Sequence, residues 1–124
     1  MTTQQCLQIL RTVKDVAFAS VDAQGDPQVR IIDVMLIEED RLYFCTARGK
    51  DFYQQLIAHP RIAIVGMNKD FQMVRLSGEA RHLDDQKYWI DRLFAENPSM
   101  CDVYPGDSRH ILEAFCIDAG ELSF

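Results

Sequence analysis

The chain has 124 residues, of which 48% are hydrophobic and 26% are charged, and its formal net charge is −6. This length suits one domain, and the composition is typical of a folded protein and excludes a disordered one. The acidic balance does not indicate a nucleic-acid or membrane partner, and the apolar runs are too short to span a bilayer. The N-terminus does not resemble a secretion signal, so we expect a single domain over residues 1–124 in the cytoplasm.

The cysteines and histidines do not indicate a metal site. The four cysteines stand at positions 6, 45, 101 and 116, and no two of them have C-x-x-C spacing. The three histidines are equally scattered. Because a zinc or iron–sulfur site needs clustered ligands, we expect reduced thiols and no metal.

The first half of the chain predicts a helix followed by three strands. A short helix over 2–10 precedes a strand over 16–21, and turn-forming residues follow over 22–27. The next strand, over 29–37, is almost continuously apolar, so the two strands should form an antiparallel hairpin. A charged turn then leads to a third strand over 42–45.

The second half predicts two further helices and the remaining strands. The spacing of apolar residues predicts a helix over 51–58, which Pro60 ends, and a second helix over 84–96 that Asp84-Asp85 starts. Strands are predicted at 62–65, 71–80, 111–117 and, within the last residues, 121–124. The chain stops within that last predicted strand, which either completes a sheet edge or belongs to a longer protein. Six or seven strands with hairpin spacing predict a mainly β fold, an antiparallel barrel with peripheral helices.

The segment from Thr46 to Lys50 is the first candidate site. Arg48 and Lys50 flank Gly49 at the predicted start of a helix, where unpaired N–H groups and the helix dipole favour an anion. An acidic chain holds a phosphate with such a local cluster of positive charge. The pattern matches no phosphate motif of high specificity, so an exposed loop with two solvated cations is the alternative.

Two strands carry further candidates. Arg30 interrupts an apolar strand, where a cation needs a partner unless it faces solvent. Asp33, three residues on, lies on the opposite strand face and is not the obvious partner. The polar face of Met73, Arg75 and Ser77 is either exposed to solvent or meets a ligand or a second subunit.

The sequence shows no nucleophile with its base, no pair of carboxylates suited to acid–base work and no dinucleotide or Walker loop. If the protein is an enzyme, a cofactor supplies the chemistry and the protein binds and orients it.

The order of these features resembles the pyridoxamine 5′-phosphate oxidase-like family, the FMN-binding split barrels. The resemblance covers residues 10–120 and rests on four segments in order: "GDPQVRIIDV", "LYFCTARGKDFYQQL", "HPRIAIVG" and "MVRLSGEARHL". The short length is closer to small nitroimidazole-resistance-like or general flavin-binding relatives than to the full oxidase. The resemblance implies a Greek-key split barrel and a homodimer with FMN at the subunit interface.

The resemblance also implies roles for particular residues. Arg30, Ile31, Ile32 and Asp33 would lie along the isoalloxazine ring, and Cys45 and Thr46 would approach the ribityl phosphate. Arg48, Gly49 and Lys50 would hold the phosphate itself. The second subunit would contribute Gln72, Met73 and Arg75.

The function that follows is an FMN-dependent oxidoreductase that passes electrons from a reduced donor to a small acceptor. A non-catalytic flavin-binding or sensing module is one alternative, and pyridoxamine 5′-phosphate oxidase activity is another. The family's longer C-terminal region, with its substrate contacts, has no match here. A haem or deazaflavin in the same fold is a further alternative.

Overall fold

The structure is a computed structural model that describes residues 1–119 and 121–123. It is mainly β, with two antiparallel sheets and peripheral helices. The strands are β1 (Asp15–Val21), β2 (Pro27–Asp33), β3 (Leu36–Glu38), β4 (Arg41–Ala47), β5 (Arg61–Met67), β6 (Met73–Glu79), β7 (Arg81–His82), β8 (Leu112–Asp118) and β9 (Glu121–Ser123). One sheet has the order β2-β1-β5-β6-β9 and the other has the order β3-β4-β8-β7.

Three helices lie close to their predicted positions, and a fourth, short helix occupies a segment where none was predicted. They are α1 (Thr3–Val13), α2 (Asp51–Ala58), α3 (Gln86–Glu96) and α4 (Met100–Val103), and a 3₁₀ helix spans Gly106–Ile111. Side chains of Thr2 and Asp85 cap α1 and α3. By contrast, α2 begins after Lys50, and no side chain among the described residues caps its first N–H groups.

The apolar segment 29–37 is two strands rather than the one predicted. The Val34 N–H donates to the Lys14 carbonyl at 2.8 Å, whereas the Met35 N–H donates to the Tyr43 carbonyl at 2.9 Å. The chain therefore passes from one sheet to the other between these two buried residues. This change of sheet cannot be seen in the apolar run, because the residues before and after it, Val34 and Met35, are both apolar and both buried.

The number of strands is also larger than the predicted six or seven. The described residues form nine strands, because β3 separates from β2 and the two-residue strand β7 pairs with β8. The ladders of the described residues form two separate sheets rather than one closed sheet. The last predicted strand, over 121–124, is observed as Glu121–Ser123, and residue 124 lies outside the described residues.

Two apolar clusters hold the elements together. Between the sheets, Phe44 stacks on Phe115 with ring centroids 5.5 Å apart, and Phe18 meets Phe44 edge-on at 5.0 Å. The neighbouring residue Tyr43 belongs to a second cluster, between the four-stranded sheet and α3. Strand alternation places Tyr43 and Phe44 on opposite faces of β4, so β4 is apolar on both sides.

No helix among the described residues combines the length and the hydropathy needed to cross a bilayer.

Candidate functional site

A pocket of about 630 Å³ opens where the edge strand β2, the end of β4, the start of α2 and α4 meet. This volume lies within the usual range of small-molecule sites, roughly 300–1,000 Å³. Its lining divides by the two faces of β4. We call the polar part the inner wing, and it is lined by Gln28, Arg30, Thr46, Lys50, Asp51, Phe52 and Gln55. We call the apolar part the outer wing, and it is lined by Met35, Cys45, Ala47, Met100, Tyr104 and Leu112.

Arg30 is the central cation of the inner wing. Its guanidinium lies 4.2 Å from the centroid of the Phe52 ring and donates to Ser20 Oγ at 2.7 Å and to Gln55 Oε1 at 3.0 Å. Partial burial lowers the pKa of Arg30 from its ordinary value, which still leaves the group charged at neutral pH. Arg30 therefore packs under α2 with neutral partners and is only partly exposed.

The start of α2 forms the other cationic part of the pocket. Lys50 is the N-cap residue of α2 and lines the pocket beside the buried hydroxyl of Thr46. The uncapped N–H groups of the first turn and the positive end of the helix dipole favour an anion at this point. Asp51 also lines the pocket, and its carboxylate opposes an anion there.

The outer wing is continuous with the second apolar cluster. All six of its residues belong to that cluster or pack against it. Cys45 Sγ lies 3.3 Å from Met35 Sδ. Burial raises the pKa of the Cys45 thiol to about 12, so the thiol stays protonated and is not a nucleophile at neutral pH.

Asp33 lies at the end of β2, on the pocket wall. Asp15 stands opposite it in the β1–β2 ladder. The hydrogen bond between the two carboxyl groups, together with partial burial, raises the pKa of Asp33. Lys14 and Arg11 act in the opposite direction.

The sequence of residues 2–105 matches the family model described as pyridoxamine 5′-phosphate oxidase. The chain belongs to this family. None of the curated proteins matches the sequence significantly.

Solved structures of other proteins share the fold. A NimC/NimA family protein from Clostridium acetobutylicum is 26% identical, with a TM-score of 0.79 over 93% of this chain and 81% of that chain. An FAD-binding protein from Mesorhizobium loti is 18% identical, with a TM-score of 0.75 over 98% of this chain and 92% of that chain. A protein from C. acetobutylicum related to general stress protein 26 of B. subtilis is 14% identical, with a TM-score of 0.78 over 98% and 88% of the two chains.

The pocket brings together most of the residues that the family resemblance predicted for one subunit. These are Arg30, Ile31, Ile32, Asp33, Cys45, Thr46 and Lys50. Two predicted phosphate ligands do not line it. Arg48 forms an ion pair with Glu113 at 3.5 Å. Apart from the atoms of Gly49 and its two chain neighbours, no described atom lies within 4 Å of the place where a Cβ of Gly49 would stand.

The residues predicted to come from a second subunit lie elsewhere on the molecule. Gln72 is in the β5–β6 turn, where Asn68 Nδ2 donates to its side-chain oxygen at 2.7 Å. Met73 and Arg75 are exposed on β6. None of these three lines the pocket of its own chain, and their predicted role depends on a second copy.

Sequence reasoning missed several residues of the pocket. Gln28 shares a strand face with Arg30, and Gln55 follows Phe52 at helical spacing, so the two periodicities could have found them. Met100 and Tyr104 carried no such signal, because α4 has four residues and the segment around it is irregular.

The outward face of the five-stranded sheet is a second feature. Most of its side chains are small or apolar, with Val29 70% and Ile31 64% exposed, and Arg75 and Ser77 of β6 supply polar groups. Ala17, Ala19, Ala63 and Val65 surround a depression of about 330 Å³ on it. Ile31 also lines the first pocket, so the two features adjoin along β2.

Proposed function

We propose that this protein binds FMN in the pocket and is an FMN-dependent oxidoreductase that passes electrons from a reduced donor to a small acceptor. The observation that carries the proposal is one pocket in which an uncapped helix start and two cations adjoin the unpaired edge of β2. FMN combines a phosphate with a flat ring that has a polar rim, so it needs both kinds of surface. Membership of the family and the FAD-binding relative support a flavin as the ligand.

The inner wing fits a phosphate. Lys50, the first N–H groups of α2 and the Thr46 hydroxyl supply a charge and donors in one place. Arg30 supplies a second charge, because the partners found for it are the neutral oxygens of Ser20 and Gln55. We assign the phosphate to Arg30, Thr46 and Lys50, and place Arg48 outside the site because it pairs with Glu113.

The edge of β2 fits the polar rim of a flavin ring. β2 is the first strand of its sheet, so one of its edges pairs with no other described strand. The backbone N–H and C=O groups along Ile31, Ile32 and Asp33 on that edge need partners. Hydrogen-bonding heteroatoms along one side of a ring would meet that need.

Bound FMN would supply hydride or electron transfer, which the side chains of the pocket do not provide. The Cys45 thiol is held protonated by burial, and the cations of the inner wing bind rather than react. In this function the protein holds the phosphate, orients the ring and excludes water. The same arrangement suits the second candidate, a non-catalytic flavin-binding module.

We further propose that the protein is a homodimer. Its outward sheet face carries exposed apolar side chains that water disfavours. Because that face adjoins the pocket at Ile31, a second copy seated on it would lie beside the flavin and could bring Gln72, Met73 and Arg75 to it. We also infer that the two sheets, joined by the phenylalanine cluster, form the split barrel expected for the family.

The test is a titration of the purified protein, freed of any bound cofactor, with FMN while flavin fluorescence is recorded. We expect saturation at one FMN per chain with a micromolar or tighter dissociation constant. An absence of binding at that level would overturn the proposal.

Catalysis is tested separately on the loaded protein. After photoreduction of the bound FMN, an oxidoreductase transfers the electrons rapidly to an added quinone, whereas a binding module does not. Pyridoxamine 5′-phosphate is included as a substrate, since its oxidation would assign the alternative activity.

A further inference from the structure

The outer wing differs from the inner wing in its charge. Its six residues provide thioether, thiol, methyl and aromatic groups, and none of them is charged. The cations that line the pocket are Arg30 and Lys50, which the proposed function assigns to the cofactor phosphate. Within the described lining, no further cation is left for a second anion.

Arg109, which lies near the outer wing, does not supply a positive charge to it. The guanidinium of Arg109 lies 4.4 Å from the centroid of the Phe94 ring and donates to Asp91 at 3.3 Å. Phe94 in turn meets the Tyr104 ring edge-on at 6.4 Å. Arg109 thus supports the wall from behind and does not present its charge to the pocket.

Asn97 fixes two parts of this wall at once. Its Nδ2 donates to the Met35 carbonyl at 2.8 Å and to the Leu93 carbonyl at 2.9 Å. The backbone carbonyl of Asn97 accepts from the Met100 N–H at 2.9 Å. The Tyr104 N–H donates to the Met100 carbonyl, also at 2.9 Å. Met35, Met100 and Tyr104 are therefore held in place through one buried side chain and one short helix.

Tyr104 adds a single polar group to the apolar wall. The residue is half-buried, and its hydroxyl has no hydrogen-bonding partner among the described residues. The hydroxyl is therefore free to donate to a molecule in the pocket, and the apolar body of the ring contacts flat molecules well.

We infer that the outer wing is a binding subsite for a flat, uncharged aromatic molecule, with Tyr104 as the residue that determines its specificity. The inference deepens the proposed function, on which it rests, by giving the class of the electron acceptor or donor. The soft sulfur atoms of Met35 and Met100 contact ring edges. The Tyr104 hydroxyl donates to a carbonyl-type oxygen on the ring. An anionic substrate is disfavoured, because burying a charge without a partner is costly.

The experiment uses two probes of nearly the same shape, neutral 2-naphthamide and anionic 2-naphthoate. Each is titrated by calorimetry into the FMN-loaded protein and again into the protein without FMN. We expect 2-naphthamide to bind at least about tenfold more tightly than 2-naphthoate. Equal affinity, or preference for the anion, in the FMN-loaded protein, where the phosphate occupies Arg30 and Lys50, would overturn the inference.

Variants locate the subsite. Tyr104→Ala should weaken 2-naphthamide roughly tenfold, and Tyr104→Phe about threefold, because it removes the hydroxyl alone. Tyr88→Ala is the matched control, since Tyr88 is 50% exposed on α3 and does not line the pocket. Unchanged affinity in both Tyr104 variants, with their circular dichroism spectra as in the wild type, would contradict the assignment.

The two proposals fail in different ways. FMN affinity is measured on the same samples and should be the same in the wild type and Tyr104→Phe. If FMN does not bind but 2-naphthamide still depends on Tyr104, the flavin assignment is overturned and the subsite stands. If FMN binds and 2-naphthamide shows no dependence on Tyr104, the subsite is overturned alone.

Discussion

Single residues at the start of α2 work against each other. Lys50 and the uncapped N–H groups attract an anion, while Asp51, the first residue of the helix, places a carboxylate on the same pocket wall. Asp at this position stabilises the helix through the dipole, so it favours the fold and weakens phosphate binding. The balance between the two charges sets the affinity of the inner wing.

Replacing Asp51 with Asn should therefore tighten FMN binding. Two unit charges 4 Å apart in water interact by about 1 kcal/mol, so we expect a gain of roughly threefold to fivefold that shrinks with added salt. Fluorescence titration with FMN at two salt concentrations measures it. Asp107→Asn, at an exposed position away from the pocket lining, is the control. A loss of affinity in Asp51→Asn would place the phosphate away from α2.

A second residue-scale prediction concerns Asp33. Its pKa is raised, first by the hydrogen bond with Asp15, so the folded state disfavours the ionised form. The resulting loss of stability is absent below the ordinary pKa of 3.8 and appears as the pH rises through the folded-state pKa. Asp15→Asn removes that cause and should stabilise the protein at pH 7 by about 0.5 kcal/mol, and not at pH 3.

Urea unfolding of the wild type and Asp15→Asn at the two pH values measures the difference. The groups that face Asp33 from other elements are Asp15, Lys14, Arg11 and Cys45. Lys14 and Arg11 are present in both proteins, so they cancel in the comparison. An equal change in the free energy of unfolding at both pH values would show that Asp33 ionisation is not its source.

At the scale of elements, the sequence predicts what local chemistry dictates. The bounds of α2 were predicted at 51–58 and are observed there, because Gly49 and Pro60 mark both ends. The inner wing follows from alternation along β2 and from the start of α2. The break between β2 and β3 could not be predicted, because Val34 and Met35 are both apolar and both buried, one in each apolar cluster. The outer wing depends on α4, which is too short to show periodicity.

Asn97 links several elements of the fold, and no pattern in the sequence indicates this role. It ends α3 and bonds the Met35 carbonyl, while its Oδ1 accepts from Arg11 at 3.3 Å. Asn97→Ala leaves the buried carbonyls of Met35 and Leu93 without this donor, at a cost of about 2–3 kcal/mol in the free energy of unfolding. Urea unfolding measures it.

Asn97→Asp separates the two functions of this side chain. It keeps an acceptor for Arg11 and loses the donors to the carbonyls, so it should be destabilised by a similar amount. Wild-type stability in Asn97→Asp would show that the Arg11 contact, rather than the two carbonyl bonds, stabilises the junction.

At the scale of the whole molecule, the outward sheet face governs assembly. Ala63 is exposed near the centre of that face, in the depression between β1 and β6. Ala63→Glu would bury a charge in the proposed dimer and should convert the protein to a monomer with weaker FMN binding. Sedimentation velocity measures the mass. Ala95→Glu, exposed on α3, is the matched control and should remain dimeric. A wild-type monomer that binds FMN tightly would contradict the shared site.

The central claim is that the pocket binds a flavin through a phosphate at Lys50. It is tested most directly by measuring the affinities of FMN and riboflavin, which lacks the phosphate, for the wild type, Lys50→Ala and the control Lys87→Ala. We predict that FMN binds the wild type and Lys87→Ala far more tightly than riboflavin does. Lys50→Ala should lose roughly tenfold or more in FMN affinity, the value of a charge-assisted hydrogen bond, and nothing in riboflavin affinity. Equal losses for both ligands, or none for FMN, would contradict the account.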